Sequence, residues 1–245
     1  MKYEFTGETK TSLGVTVKQI RRLKDGAVGG WIESENNLSH DGDAWVSENA
    51  QVDGNAQVYG NAQVYGDAWV HGNARISGYA RVYNHARVYG RSRIENNARV
   101  FESAQVDGNA QVDGNAQVYG NAQVYGNAQV YGNAQVYNNA KVYGNAQVYN
   151  NAKVFGDAWV SGNARISGNV IIEKSMDFLH IVGFRFPVTI RNDGYASIGC
   201  QTLTIQEWLD YEFFQDCQIS DREEFDRMQA LLRPLFLAYL PQNRQ

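Results

Sequence analysis

The chain has little cysteine, proline or histidine, and no long apolar run. Cys200 and Cys217 are the only cysteines among 245 residues and have no zinc-type spacing. This argues against a disulfide framework and for a reducing compartment. The prolines Pro187, Pro234 and Pro241 all lie in the last third, so a hydrogen-bonded strand ladder can run unbroken before them. No stretch of 18 apolar residues reads as a membrane-spanning helix. Met1-Lys2-Tyr3-Glu4-Phe5 also lacks the apolar segment of a signal peptide. A cytoplasmic protein with no membrane partner is expected. Lys and Arg number 22 against 26 Asp and Glu, a net charge of −4, so no global basic field points to nucleic acid. Neither a Gly-Lys-Ser/Thr phosphate loop nor a His-Glu-x-x-His zinc motif is present. No cofactor and no metal are expected.

What the chain has instead is a repeat. Asp43 to Lys174 divides into 22 hexapeptides without insertion or deletion, with consensus Asn-Ala-Gln-Val-Tyr-Gly. The second position is Ala in 20 units, the exceptions being Ser92 and Val170, and the fourth is always Val or Ile. Strand alternation puts Ala and Val inside and Gln and Tyr outside. The sixth position is mostly Gly, or Asn at Asn84, Asn96, Asn138 and Asn150. Both tolerate positive φ, so a corner is expected at each Gly-Asn step. A looser unit, Asn37 to Gly42, begins the array and puts His40 at an inward position.

This pattern, an aliphatic residue with a small residue four later, resembles that of hexapeptide-repeat proteins. The resemblance implies an all-β left-handed parallel β-helix with three hexapeptides per coil. The 22 units then make just over seven coils, about 35 Å long at ~4.8 Å per rung. Its core is slim, so stability must come from contacts between neighbouring coils. Stacked Asn side chains at the corners are expected to add ladder hydrogen bonds.

Residues 1–36 read as a small N-terminal β cap, 37–174 as the β-helix, and 175–245 as a C-terminal β-hairpin plus two helices that cap or oligomerise. The cap shields the open strand edges of the first coil. In the tail, Phe178 to Ile190 reads as one strand, Asn192-Asp193-Gly194 as a turn, and Tyr195 to Ile205 as the second strand. The helices carry capping boxes at Thr204/Glu207 and Ser220/Glu223. Phe225, Met228, Leu232, Leu235 and Tyr239 form an apolar stripe on the second, which Pro234 shortens.

Residues 18 apart stack on one another. One outward column reads Tyr65, Tyr83, Phe101, Tyr119, Tyr137, Phe155, an aromatic ladder through six coils. The others are interrupted: Asp53, His71, Tyr89, Asp107, Tyr125, Tyr143, Ser161, and Tyr59, Ser77, Glu95, Asp113, Tyr131, Tyr149, Ser167. The ladder is either a structural stack or, as an exposed aromatic stripe, a partner-binding face. Self-association through it is expected. Arg75, Arg81, Arg87, Arg91, Arg93 and Arg99 form a basic belt. Arg75 stacks under Arg93 and Arg81 under Arg99, a candidate hold for an anion or an acidic partner. The belt is spread around all three faces, which weakens a single pocket, and it reads first as a solvated surface, then as a partner contact, and last as a nucleotide or nucleic-acid site. The repeat contains no Thr, which removes the Thr arrays of an ice-binding solenoid.

Gly29-Gly30-Trp31-Ile32-Glu33, Asn37-Leu38-Ser39 and Gly42-Asp43-Ala44-Trp45-Val46 resemble the start of YdcK-like β-solenoid proteins. Asp193-Gly194-Tyr195, Ile198-Gly199-Cys200 and Glu207-Trp208 resemble the tail of their phage-type members. The resemblance implies the fold and a phage or bacterial origin, without an established chemistry. It suggests a non-catalytic scaffold acting on a host or phage protein, with a host defence component as one target. Other hexapeptide-repeat proteins are CoA-dependent acyltransferases with a histidine base. That alternative has only His71 and His85 to offer, no orienting acid that stands out, and no loop interrupting the coils.

Overall fold

In a computed structural model the structure describes residues 1–12, 14–169, 171–172, 178–181, 188–191, 195–198, 201–210, 226, 230, 232 and 233, with backbone alone for 178–181, 188–191 and 201. The chain forms two compact units, Met1–Lys174 and Ser175–Gln245.

The first unit is a parallel β-solenoid of about eight coils. Each hexapeptide contributes a two-residue rung at its third and fourth positions, as in Gln117–Val118 and Gln135–Val136. Rungs 18 residues apart pair in parallel and in register, for example Gln117↔Gln135 and Val118↔Val136. Three sheets result. The first face runs from Gln51–Val52 to Trp159–Val160, the second from Gln57–Val58 to Arg165–Ile166, and the third from Trp45–Val46 to Ile171–Ile172. Tyr119 N donates to Val136 O at 3.0 Å and Asn115 N to Gly132 O at 2.7 Å. The backbone is thus satisfied coil by coil, the accounting that any buried strand requires.

Inward Ala and Val side chains are almost wholly buried along the array. Ser92 takes an Ala position with its hydroxyl donating to Tyr89 O at 2.7 Å, so the buried polar atom is paired. The corners sit at positive φ, as Gly126 (φ 72) and Asn138 (φ 58) show. A Cβ on Gly126 would stand 3.1 Å from Gly144 N of the next coil, so Gly serves there both for its φ and for its missing side chain. Corner asparagines stack as expected: Asn97, Asn115, Asn133, Asn151 and Asn169 pass one amide hydrogen bond up each step at 3.1–3.2 Å.

The first coil begins inside residues 1–36. The strand Val28–Ile32 pairs antiparallel with the strand Val15–Arg22 and parallel with Gln51–Val52. It is at once the last strand of the cap and the first rung of the solenoid. Gly29 and Gly30 allow this, because a Cβ on either would strike Val46, Trp45, Ile20 or Ala50 within 3 Å. Leu38 bridges to Val58, so Leu38, and not His40, holds the inward position of this coil. Two extra residues between Leu38 and Val46 displace His40 onto the Tyr3 ring, 4.3 Å away and stacked. Asn37 Nδ2 donates to Gly54 O and Ala56 O at 2.9 Å. It thereby satisfies the Ala56 carbonyl that a regular rung would reach with a backbone N–H.

In the second unit the expected hairpin is a four-stranded antiparallel meander: Phe178–Ile181, Val188–Arg191, Tyr195–Ile198 and Gln201–Thr204. Each long apolar stretch folds back on itself rather than running as one strand. The helix Ile205–Leu209 carries the expected capping box, Glu207 N donating to Thr204 Oγ1 at 3.1 Å and Thr204 N to Glu207 Oε2 at 2.7 Å. Trp208 is buried and its indole donates to Ala196 O at 2.7 Å. The box at Ser220/Glu223 and the stripe residues Phe225, Met228, Leu235 and Tyr239 lie outside the described residues, as does Pro234. Leu232 is buried.

Candidate functional site

The ladder forms on the third face. Successive ring centroids, Tyr65 to Tyr83, Phe101, Tyr119, Tyr137 and Phe155, lie 4.8–4.9 Å apart with planes within 8°. In-register parallel rungs set this spacing, since identical positions repeat at the inter-strand distance. Each ring is half-buried because its neighbours cover its faces. The ladder therefore presents a ridge of ring edges and hydroxyls to solvent. Burial pushes the Tyr83 and Tyr119 phenols above their ordinary range, the neighbouring Tyr65 and Tyr137 add to this, and Arg99 and Arg81 partly oppose it at Tyr83. Both hydroxyls therefore remain donors near neutral pH.

Arg81 and Arg99 pair in register on this same face, two positions before Tyr83 and Phe101. Arg75 and Arg93 pair on the second face. The four arginines are thus split between two sheets and do not converge on one anion site. All four are exposed, and none makes an ion pair among the described residues. The third face consequently combines an aromatic ridge with a stacked pair of free guanidiniums.

The histidines have separate surroundings. His71 lies on the first face between Trp69, at 4.2 Å, and Tyr89, at 5.0 Å. This burial lowers its pKa, with Asp53 and Asp107 opposing and Arg87 reinforcing. Its ring faces are covered, a poor posture for a base that must reach a substrate proton. His85 does have an acid beside it: Asp67 Oδ2 is 3.4 Å from Nδ1. The two stand one coil apart on an open corner, 69% and 53% exposed. The 18-residue offset between Asp67 and His85 was the signal for this contact.

One further feature lies on the first face, and another depends on how the cap folds. Asp53 is buried at an outward position and accepts from Trp69 Nε1 at 2.6 Å and Gln51 Nε2 at 2.7 Å. At the base of the solenoid a cleft of about 610 Å³ is lined by Lys2, Arg22, Lys24, His40, Asp43 and Tyr65, among others. Lys2 Nζ is held there by Ala44 O at 2.7 Å, and burial lowers its pKa against the pull of Asp43 and Asp41. No run of sequence joins these residues, so the cleft was not visible before the fold. Among the described residues no group of three or more His, Cys, Asp or Glu could hold a metal ion, and no helix is long and apolar enough to cross a membrane.

A family model for the YdcK β-solenoid repeat matches residues 56–72, 116–132, 122–138 and 146–162. These segments of the chain are similar to the YdcK β-solenoid repeat. Each matched segment falls one residue short of an 18-residue coil, so the YdcK unit corresponds to a full turn of three rungs. The matches include the ladder rings Tyr65, Tyr119, Tyr137 and Phe155. No curated protein matches the chain.

Proposed function

We propose that this chain is a non-catalytic β-solenoid scaffold whose third face binds protein. The observation that carries this reading is the six-ring ladder with Arg81 and Arg99 beside it. Aromatic residues and arginine are the side chains most enriched at binding hot spots. A solenoid supplies them on a surface whose spacing is fixed before binding, which reduces the entropy lost on association. The ridge runs about 24 Å at ~4.8 Å per rung, the scale of an ordinary protein interface patch. The free guanidiniums favour an acidic surface opposite. One occupant is a second copy of the chain. The other is a host protein in the cytoplasm, in keeping with the resemblance to phage-type solenoids, and a defence component would be such a target.

The test replaces Tyr83, Tyr119 and Tyr137 together by Ser. Light scattering should show an assembly of the native chain that the triple variant loses, while its far-UV circular dichroism stays native. Capture of a specific host protein should fall with it. Assembly and capture that both survive the triple change would overturn the proposal. Acyl transfer is the competing reading, supported by the His85–Asp67 contact alone. Acetyl-CoA that raised the melting temperature of the native chain, but not of His85→Ala or His71→Ala, would establish a ligand site and displace the non-catalytic reading.

A further inference from the structure

The first face carries a stack with one rung missing. Its outward column runs His71 and Tyr89 as stacked rings, with Trp69 of the neighbouring column stacked on His71, then Asp107, then the stacked pair Tyr125 and Tyr143 at 4.9 Å. Tyr89 and Tyr125 are two rungs apart, about 9.6 Å at ~4.8 Å per rung. Asp107 is too short to fill the interval. A cleft of about 200 Å³ remains, lined by Tyr89, Gln105, Asp107, Gln123, Val124 and Tyr125. On the second face Asp113 lies between Glu95 and Tyr131, so no second carboxylate there has a ring on both sides.

Three properties of this gap define what fits it. A group at the level of Asp107 lies about 4.8 Å from each ring, within the ~6 Å over which an aromatic face attracts a cation. The floor is a carboxylate. Asp107 Oδ1 accepts from its own Gly108 N, and among the described residues no Lys or Arg makes an ion pair with it. Arg87, one rung below, is exposed and pairs in register with Gln105, not with Asp107. The walls supply the amide groups of Gln105 and Gln123, with Tyr89 Oη donating to Gln105 Oε1 at 3.4 Å. A flat cation with several donors satisfies all three properties. Guanidinium is planar, stacks on aromatic faces and meets a carboxylate through paired N–H groups, whereas an ammonium is compact and strongly hydrated.

We propose that the Tyr89–Asp107–Tyr125 gap is a receptor for an arginine side chain of a partner protein, whose guanidinium takes the place of the missing ring. The gap lies on a different face from the ladder and goes beyond the reading given above. Loss of one leaves the other standing.

The probe is a capped Gly-Arg-Gly tripeptide titrated into the isotopically labelled full chain, with the Gly108 amide followed by NMR. A saturable shift is expected with a Kd on the order of millimolar. The citrulline tripeptide, of the same shape without charge, should bind about fivefold or more weakly, and so should the lysine tripeptide. Asp107→Asn keeps a side-chain acceptor for the Gly108 amide and should weaken the arginine probe about fivefold or more. Tyr89→Leu and Tyr125→Leu should each weaken it, while Asp113→Asn should not. No saturable shift, equal binding of the citrulline or lysine tripeptide, or an Asp107→Asn chain that binds as well as the native one would each overturn the assignment.

Discussion

The ladder predicts a measurable coupling between rings. Tyr119 stacks on Phe101 and on Tyr137, and Tyr137 stacks on Tyr119 and on Phe155. Tyr119→Ala therefore removes two ring contacts, as does Tyr137→Ala. The double variant removes three contacts and not four, because one is shared. At ~0.5–1.5 kcal/mol per aromatic pair, each single change costs about 1–3 kcal/mol from stacking alone. The double should then fall short of the sum by about 0.5–1.5 kcal/mol. A control cycle on Tyr119 and Tyr125, which project from different faces, should be additive within about 0.3–0.5 kcal/mol. A solenoid need not melt as one unit, so the energies are best read locally. Native-state amide exchange at Gln117, Tyr119 and Gln135 in increasing urea gives the opening free energy of these rungs. If the Tyr119/Tyr137 coupling equals that of the control, the rings are aligned by the backbone alone and contribute nothing to one another.

Two other perturbations test the frame around the ladder. His71 has its pKa lowered from 6.5, chiefly by burial between Trp69 and Tyr89. Below that value the unfolded chain takes up the proton first, so this stability contribution is present above about pH 6.5 and is lost as pH falls through the lowered folded value. The drop in melting temperature from pH 7.5 to 5.5 should be smaller in His71→Tyr, and equal drops would refute the assignment. Asn133 accepts from Asn115 and donates to Asn151, both at 3.1 Å. Asn133→Ala should lower the local opening free energy by about 1 kcal/mol, the low end for two solvent-exposed hydrogen bonds. Asn169→Ala, which removes one bond from the end of the column, should cost about half as much, and equal costs would argue against a cooperative ladder.

The hexapeptide was informative because every constraint repeats. Ala98 and Val100 point inward for the same reason as Ala116 and Val118, so one unit read correctly gives all. Register followed as well: Arg81 over Arg99 and Tyr83 over Phe101 are consequences of an 18-residue coil. The asparagine columns came from the same arithmetic. Where the repeat loosens, the reading slipped. His40 occupies the inward phase of the unit Asn37–Gly42 on paper, but two extra residues shift the phase and give the position to Leu38. The meander at Phe178–Thr204 has no period at all, and a β-prone apolar run does not say where it turns.

From the sequence alone came the rung, the coil, the corner and the list of side chains on each outward column. These depend on local strand alternation and on backbone hydrogen bonding, which act between neighbours and repeat without error. The tertiary structure decided which neighbours those side chains acquired. It turned Tyr65 to Phe155 into a ridge of edges and covered both faces of His71. It also buried Asp53 beside Gln51 and the Trp69 indole, and brought Lys2, Arg22, Lys24 and His40 around one cleft. The reason is that ring posture, burial and charge proximity depend on distances through space, and outside the repeat no sequence period fixes those distances.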